Sequence, residues 1–284
     1  MLKRFIKIVH TIIAFSAALC LLISCACVGK HNNDLQVCFL KVGKADAIVL
    51  AEDGKCLVID TGEDDDGADV AQYIKSHEIA AIDVLIITHY DKDHIGGAER
   101  LINEFKIERA ILPDYAPENP MYDALISALG DANISVERLD KPTEFAFASS
   151  TVKVEPPSEY PKADGGKETD NDSSLITTVI HGKNRFVFMG DAEKKRIRDY
   201  LDNGDAQACD LIKMPHHGDY NKALKELIER LSPKYAVICS SDKNPAESRT
   251  LDLLNDSGCS AYETRAGNVI VISSGTKLTI RQSR

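Results

Sequence analysis

The sequence lacks an excess of positive charge. Its 34 lysines and arginines are outnumbered by 44 aspartates and glutamates, which gives a formal net charge of -10 at pH 7. Non-specific binding to nucleic acid needs a basic surface, so this composition argues against general adhesion to polyanions. If the substrate is a polyanion, the attraction must be local, from bound metal ions or from lysines such as Lys92, Lys213 and Lys222.

Paired cysteines are also missing. Beyond the first 30 residues no two cysteines stand in a CxxC pair, and most lie inside apolar, strand-like runs. This pattern argues against a zinc ribbon or a disulfide framework and predicts small, buried apolar side chains. The five residues concerned are Cys38, Cys56, Cys209, Cys239 and Cys259.

No apolar run is long enough to predict a membrane span with certainty. Three basic residues precede an apolar run from Ile8 to Ile23, which is typical of a secretory signal. The segment Leu22 to Cys25 resembles the bacterial lipobox, whose cysteine is lipidated. We therefore predict a signal peptide over residues 1–24, a lipid anchor on Cys25, a polar tether over 25–34, and a location on the outer face of the cytoplasmic membrane. The alternative is an ordinary signal peptide with an incidental cysteine, and a secreted protein.

The stretch from Asp83 to Gly97 combines a buried strand with a loop that is dense in metal-ligating residue types. Val84 to Ile87 is apolar and β-branched, as in a strand buried on both faces. Loops at the carboxyl ends of such strands are where α/β proteins place their chemistry. The candidate ligands in this loop are His89, Asp91, Asp93 and His94; two later strand ends add Asp191 and the pair His216 and His217.

The loop HYDKDHIGG resembles the HxHxDH motif of the metallo-β-lactamase superfamily. Asp91, in place of the second histidine, is similar to the ComEC-type hydrolase domain of DNA-uptake proteins, and so are VGKADA around Asp46, VIDTG around Asp60 and NDSS from Asn171. The resemblance implies an α/β fold, namely a metallo-β-lactamase-like αβ/βα four-layer sandwich of two mixed sheets with helices outside. We expect one such domain over residues 35–284.

The resemblance further implies a centre for two divalent metal ions, zinc or manganese. It assigns His89 and Asp91 to one ion, Asp93, His94 and one histidine of the HHG motif to the other, and Asp191 to both. Neighbours in extended backbone point to opposite sides, so only one of His216 and His217 is expected to be a ligand. We favour His216 as the ligand and place His217 with Asp93 among the catalytic residues. Supporting or substrate-contacting roles are predicted for Asp46, Asp60, Asn171, Ser173 and Lys213.

Two ions about 3.5–4 Å apart lower the pKa of a shared water and stabilise both oxygens of a displacement, which suits phosphodiester chemistry at a carboxylate-rich site. The sequence therefore predicts a surface-anchored phosphodiesterase or nuclease acting on a phosphodiester, possibly DNA. The alternatives among enzymes are a phosphorylcholine esterase, a lactamase or a lactonase. Outside enzymes, the alternative is a metal-stabilised surface binding or sensor lipoprotein.

Two segments depart from the expected pattern. Glu155 to Asp172 contains three prolines and a Gly-Gly pair, which predicts a mobile loop, either an active-site flap or a spacer. Asn244-Pro245 stands where ComEC relatives usually have His-Pro, and no histidine accompanies Asn171. The missing histidine near Asn171 predicts that one of the two ions has fewer protein ligands, and Asn244 puts in doubt the substrate contact that the histidine of the relatives would make.

Overall fold

The computed structural model describes residues 33–161 and 170–283. The predicted signal peptide, Cys25 and most of the predicted tether lie outside the described residues, as does the middle of the segment 155–172. Within the described ranges no helix has the length and apolar character needed to cross a membrane.

Short apolar runs form the strands of two sheets. In chain order the strands are β1 (Leu35–Phe39), β2 (Ala47–Glu52), β3 (Lys55–Thr61), β4 (Ala81–Ile86), β5 (Lys106–Pro113), β6 (Ser135–Leu139), β7 (Thr143–Phe147), β8 (Ser150–Glu155), β9 (Ile176–His181), β10 (Asn184–Phe188), β11 (Leu211–Lys213), β12 (Tyr235–Ile238), β13 (Ser260–Glu263), β14 (Val269–Ser273) and β15 (Leu278–Gln282).

Both sheets are mixed. The first has the order β15-β14-β1-β2-β3-β4-β5-β6, and the second has the order β13-β12-β11-β10-β9-β8-β7. The strands from β3 to β6 run parallel to one another, as do those from β10 to β13, while the remaining neighbours are antiparallel. The parallel part of each sheet is built by strands alternating with helices, as expected for crossover connections.

The helices lie on the outer faces of the sheets. They are α1 (Gly67–Ser76), α2 (Lys92–Ile95), α3 (Ala98–Glu104), α4 (Pro120–Asp131), α5 (Lys194–Asn203), α6 (Leu224–Leu231) and α7 (Ser248–Asp256). Buried side chains of α1, α3 and α4 pack on the first sheet, and those of α5, α6 and α7 pack on the second.

A third cluster of buried side chains lies between the two sheets. It contains residues of both, and Phe39 of β1 stacks on Phe188 of β10 with ring centroids 5.9 Å apart. Helix, sheet, sheet and helix thus follow one another through the molecule, and the predicted four-layer αβ/βα fold is confirmed. The five cysteines of the described residues are buried free thiols, as the sequence predicts.

The two sheets meet at the carboxyl ends of their parallel strands. The Leu175 N–H, just before β9, donates to the Thr88 carbonyl of the loop that follows β4, at 2.9 Å. The His216 N–H donates to the Gly190 carbonyl at 3.3 Å, which joins the loops after β11 and β10. These bonds bring the three strand-end motifs to one edge of the sandwich.

Candidate metal centre

The loop after β4 turns directly into the short helix α2. Asp91 is the residue that precedes α2, and Asp93 and His94 lie on its first turn. Gly96 and Gly97 follow, and a Cβ on Gly97 would come within 2.3 Å of the Thr61 carbonyl at the end of β3. The glycines therefore allow this loop to lie against the neighbouring strand end.

Asp60 at the end of β3 supports the loop from behind. Its Oδ1 accepts from the Thr88 N–H at 2.8 Å, and its Oδ2 accepts from the Thr88 hydroxyl at 2.7 Å and from His94 Nδ1 at 2.8 Å. Because a carboxylate can only accept here, His94 Nδ1 carries the proton and His94 Nε2 is directed into the site. Asp60 itself is fully buried with φ 57°, a left-handed conformation rare outside glycine.

Four residues from three strand ends, His94 among them, lie close together in the site. Asp93, His94, Asp191 and His217 each offer an atom within 4.8 Å of all the others. Asp191 Oδ2 lies 3.3 Å from His94 Nε2 and 3.0 Å from His217 Nε2, and Asp93 Oδ2 lies 3.3 Å from His217 Nε2. We call these four residues the ligand cluster.

The structure places His217, and not the favoured His216, in the ligand cluster. His217 is buried and its Nδ1 donates to the Cys239 carbonyl at 3.1 Å, which directs Nε2 towards Asp191. The His216 ring points away, with Nδ1 3.3 Å from Glu193 Oε1. The expectation assumed extended backbone, but both histidines have positive φ, 45° and 52°, inside a 3-10 turn over His216–Gly218.

His89 and Asp91 form a looser pair beside the cluster. His89 Nε2 is 3.8 Å from Asp91 Oδ2, and the His89 and His94 rings have centroids 4.0 Å apart. Neither residue belongs to the set within 4.8 Å. The first of the two predicted ions would thus have this pair and Asp191 as its protein neighbours.

The charges in the cluster are strongly coupled. Burial alone would raise the pKa of the Asp93 and Asp191 carboxyls, but the adjacent His217 and His94 more than offset it, so both pKa values lie below the usual range. Burial would lower the pKa of the two histidines, but Asp191 raises the pKa of His217 to about 9 and that of His94 well above normal. Carboxylates and protonated imidazoles thus neutralise one another, and a bound cation would take the place of those protons.

In the looser pair of His89 and Asp91, neighbouring charges do not offset the effect of burial on the pKa. Burial, with His94 next to it, lowers the pKa of His89 well below normal, so His89 is a neutral imidazole. Burial and the nearby carboxylate of Asp170 raise the pKa of Asp91 to about 6.

These residues fit a divalent metal ion. The Nε2 atoms of His89, His94 and His217 are buried and make no hydrogen bond of regular geometry among the described residues, although those of His94 and His217 lie 3.3 and 3.0 Å from Asp191 Oδ2. Buried ring nitrogens without a well-formed hydrogen bond are costly, whereas neutral imidazoles beside carboxylates are a normal ligand set for zinc or manganese. Held in place through Nδ1, His94 and His217 have their Nε2 lone pairs positioned for such an ion.

Asp46 and Lys213 lie behind the cluster. Asp46 Oδ1 is 3.6 Å from His217 Nδ1, and Asp46 Oδ2 contacts Lys213 Nζ. Lys213 is fully buried, which excludes both a solvated lysine and direct contact with a long polyanion. The predicted role of Lys213 in substrate contact is therefore corrected: its charge acts inside the protein.

Asn171 and Ser173 are both buried. Asn171 Nδ2 donates to Glu193 Oε1 at 3.0 Å and is 3.4 Å from Nε2 of His216, whose partly exposed ring marks the rim of the site. The sequence reasoning missed Thr88, Glu193 and Asp219, although each is within three residues of a predicted ligand. That proximity to a strand end was the available signal.

Comparison with known proteins agrees with this geometry. A family model described as the metallo-beta-lactamase superfamily matches residues 40–241. ComE operon protein 3 of Bacillus subtilis is 26% identical over 172 residues, 61% of this chain and 22% of that protein. Recombination protein 2 of Haemophilus influenzae is 26% identical over 215 residues, 74% of this chain and 25% of that protein. The chain thus spans about a quarter of the length of these curated relatives.

A solved structure supports the fold independently. CmlA, a diiron beta-hydroxylase from Streptomyces venezuelae, superposes with a TM-score of 0.55 at 14% identity, covering 81% of this chain and 52% of that one. At this identity the likeness concerns the fold alone. The region matched by the family model spans more than half of the chain and includes all three strand ends of the ligand cluster. The chain therefore belongs to the metallo-β-lactamase superfamily.

Proposed function

We propose that this metallo-β-lactamase superfamily protein is a metal-dependent phosphodiesterase or nuclease that uses two divalent ions. The observation that carries the proposal is the ligand cluster itself, in which carboxylates of Asp93 and Asp191 face the buried Nε2 atoms of His94 and His217. Asp91 adds a third carboxylate at the side of His89. A centre with three carboxylates and two ions suits the neutralisation of charge on a phosphodiester better than the polarisation of a single carbonyl.

Each residue has a distinct part in this proposal. Asp93, His94 and His217 would hold one ion, His89 and Asp91 the other, and Asp191 both. When bound, the ions supply positive charge that activates a water molecule and stabilises a phosphoryl group in displacement. The protein holds the proton of His94 on Nδ1 through Asp60 and that of His217 on Nδ1 through the Cys239 carbonyl. At the rim, Asn171 and His216 are the groups that face arriving substrate.

The proposed substrate rests on the similarity to the two curated relatives. The proposed location rests on the predicted signal peptide. The likeness to ComE operon protein 3 and to Recombination protein 2 supports a ComEC-type activity, and DNA is the polymer we propose as substrate. The leader and the LISC segment support a lipid anchor on Cys25 and activity at the outer face of the cytoplasmic membrane.

The test is hydrolysis by the purified full-length protein, with its metal content measured. The substrates are bis(p-nitrophenyl) phosphate, single-stranded DNA, a phosphorylcholine ester and nitrocefin, each with manganese or zinc. We expect phosphodiester hydrolysis that a chelator abolishes and that Asp191→Asn reduces by more than about 100-fold, since a shared ligand serves both ions. The control Asp202→Asn replaces an exposed carboxylate of α5 and should keep full activity.

The result that would overturn the substrate class is hydrolysis of nitrocefin or a lactone far above any phosphodiester. Since a phosphorylcholine ester is itself a phosphodiester, a strong preference for it would keep the reaction class and overturn DNA as the proposed substrate. A fully metal-loaded protein without any hydrolysis would instead favour a surface binding or sensor role.

A further inference from the structure

Lys213 is a buried cation whose hydrogen-bonding capacity is completely used. An ammonium group has three N–H donors. Lys213 Nζ donates to the Gly190 carbonyl at 2.9 Å, to Asp191 Oδ1 at 3.5 Å, and contacts Asp46 Oδ2. The side chain is 0% exposed. A lysine in this position has no donor left for substrate and acts only on the residues around it.

The two oxygens of Asp191 face different partners. Oδ2 is the atom near His94 Nε2 and His217 Nε2, at 3.3 and 3.0 Å. Oδ1 is the atom that lies 3.5 Å from Lys213 Nζ. A carboxylate with both oxygens open can chelate an ion or use one oxygen for each of two ions, whereas one oxygen occupied by an ammonium leaves a single oxygen for metal.

The position of Lys213 is itself fixed by the backbone. Gly190, whose carbonyl accepts from Lys213, has φ 53° and lies against Thr88 and Ser174. Asp46 is held by its N–H, which donates to the Asp93 carbonyl at 3.0 Å, and by its carbonyl, which accepts from the Gly62 N–H at 2.8 Å. Lys213 therefore cannot leave Asp191 without a rearrangement of three neighbouring strand ends.

We propose that Lys213 is a positioning residue that occupies Asp191 Oδ1, so that Asp191 offers a single oxygen, Oδ2, to the metal ions. This inference rests on the proposed metal-dependent function. It gives the buried lysine a role in the coordination number of the centre and not in substrate binding. Asp46 is the counter-charge that allows an ammonium to remain buried there.

The experiment uses the full-length protein loaded with cobalt(II), whose visible absorption weakens as its coordination number rises. Lys213→Met frees Asp191 Oδ1, so a second oxygen can bind and the absorption of the cobalt protein should fall. It also leaves Asp46 without its counter-charge, which should lower the thermal midpoint by roughly 10 °C. The matched control is Lys153→Met, which removes a lysine that bridges Glu155 and Asp205 outside the ligand cluster; its cobalt spectrum should equal that of the wild type.

A second variant separates the positioning of Asp191 by Lys213 from the balance of the two buried charges. The same variant replaces Lys213→Met in the experiment if Lys213→Met alone does not fold. Asp46→Asn combined with Lys213→Met removes both buried charges, so stability should return towards the wild-type value. If Lys213 positions Asp191, the weakened cobalt absorption persists in this double variant. A spectrum restored together with stability, or an unchanged spectrum in Lys213→Met, overturns the proposal. None of these spectra depends on phosphodiester hydrolysis, so a failure of the proposed function would be recognised separately in the hydrolysis assay.

Discussion

His216 and His217 are neighbours in the chain with very different surroundings. His217 is buried, with Nδ1 fixed on a backbone carbonyl and Nε2 at 3.0 Å from Asp191 Oδ2. The His216 side chain is 26% exposed and lies between Glu193 and Asp219, at 3.3 and 3.8 Å. Only His217 thus has a buried nitrogen directed at the other candidate ligands.

The first prediction separates these two histidines by metal content. His217→Ala should weaken binding of at least one ion by more than about 100-fold, because it removes a ligand and not merely a supporting residue. His216→Ala should retain both ions and change only substrate hydrolysis. The measurement is elemental analysis after dialysis against a metal buffer. Equal metal content in the two variants, or a loss confined to the His216 variant, would contradict the assignment.

At the residue scale, the sequence indicates ligand types better than ligand orientation. The sequence identifies one group of candidate ligands because four histidine and aspartate residues follow one strand end within six positions. They are His89, Asp91, Asp93 and His94. The choice of His217 could not be made, since it depends on two successive residues with positive φ, a conformation that is uncommon outside glycine even for histidine. The inward direction of Lys213 was equally hidden, because it depends on Asp46, which is distant in sequence.

At the scale of elements, the local pattern located the strand before the metal-binding loop within a few residues. The apolar run Val84–Ile87, which predicts a buried strand, corresponds to β4 at Ala81–Ile86. The strand expected before the HHG motif is shorter, with only Leu211–Lys213 paired. Just before it, the Cys209 N–H bonds to the Leu231 carbonyl and so leaves the ladder.

The pairing of distant strands lies beyond local patterns altogether. β14 lies beside β1, with Val271 opposite Val37, although the two strands are at opposite ends of the described chain. Alternation of apolar residues shows that each segment is a strand but not which segment is its neighbour. The resemblance to a known family predicted two mixed sheets, and the pairing of β1 with β14 comes from the structure.

A second prediction concerns the contact between the metal-binding loop and β3. Gly97→Ala would bring a Cβ within 2.3 Å of the Thr61 carbonyl and 2.7 Å of Gly67 Cα, both backbone atoms that cannot move aside cheaply. We expect a loss of about 1–3 kcal/mol in the free energy of unfolding, measured by urea denaturation, together with weaker metal binding as the loop shifts.

Gly130 provides the matched control for this substitution. It lies within α4, and a Cβ there would meet no atom within 4 Å. Gly130→Ala should therefore be neutral or stabilise the protein by up to about 1 kcal/mol, because alanine favours helix. Equal urea midpoints for the two variants would show that the close approach of Gly97 has no energetic weight.

At the scale of the whole molecule, negative charge dominates and the candidate lysines do little to offset it. Lys213 is buried, and all three of its N–H donors are used inside the protein. Lys92 pairs with Glu63 at 3.0 Å beside the acidic turn Asp64–Asp66. Lys44, near the rim, pairs with Asp219 at 3.0 Å. A long polyanion approaching the centre therefore meets net repulsion, apart from the attraction of bound ions themselves.

The last prediction uses this charge distribution to test how a polymer reaches the site. Raising the ionic strength from about 0.01 M to 0.15 M shortens the Debye length from about 30 Å to about 8 Å, so it screens the global repulsion while leaving contacts at the ions in place. Hydrolysis of long single-stranded DNA at subsaturating concentration should therefore accelerate with added salt, whereas hydrolysis of bis(p-nitrophenyl) phosphate should change little. Lys92→Gln should behave like the wild type in both assays, because Glu63 already offsets that lysine. A DNA rate that falls as salt is added, and falls less in Lys92→Gln, would show instead that local lysines attract the polymer and that the acidic surface does not govern its approach.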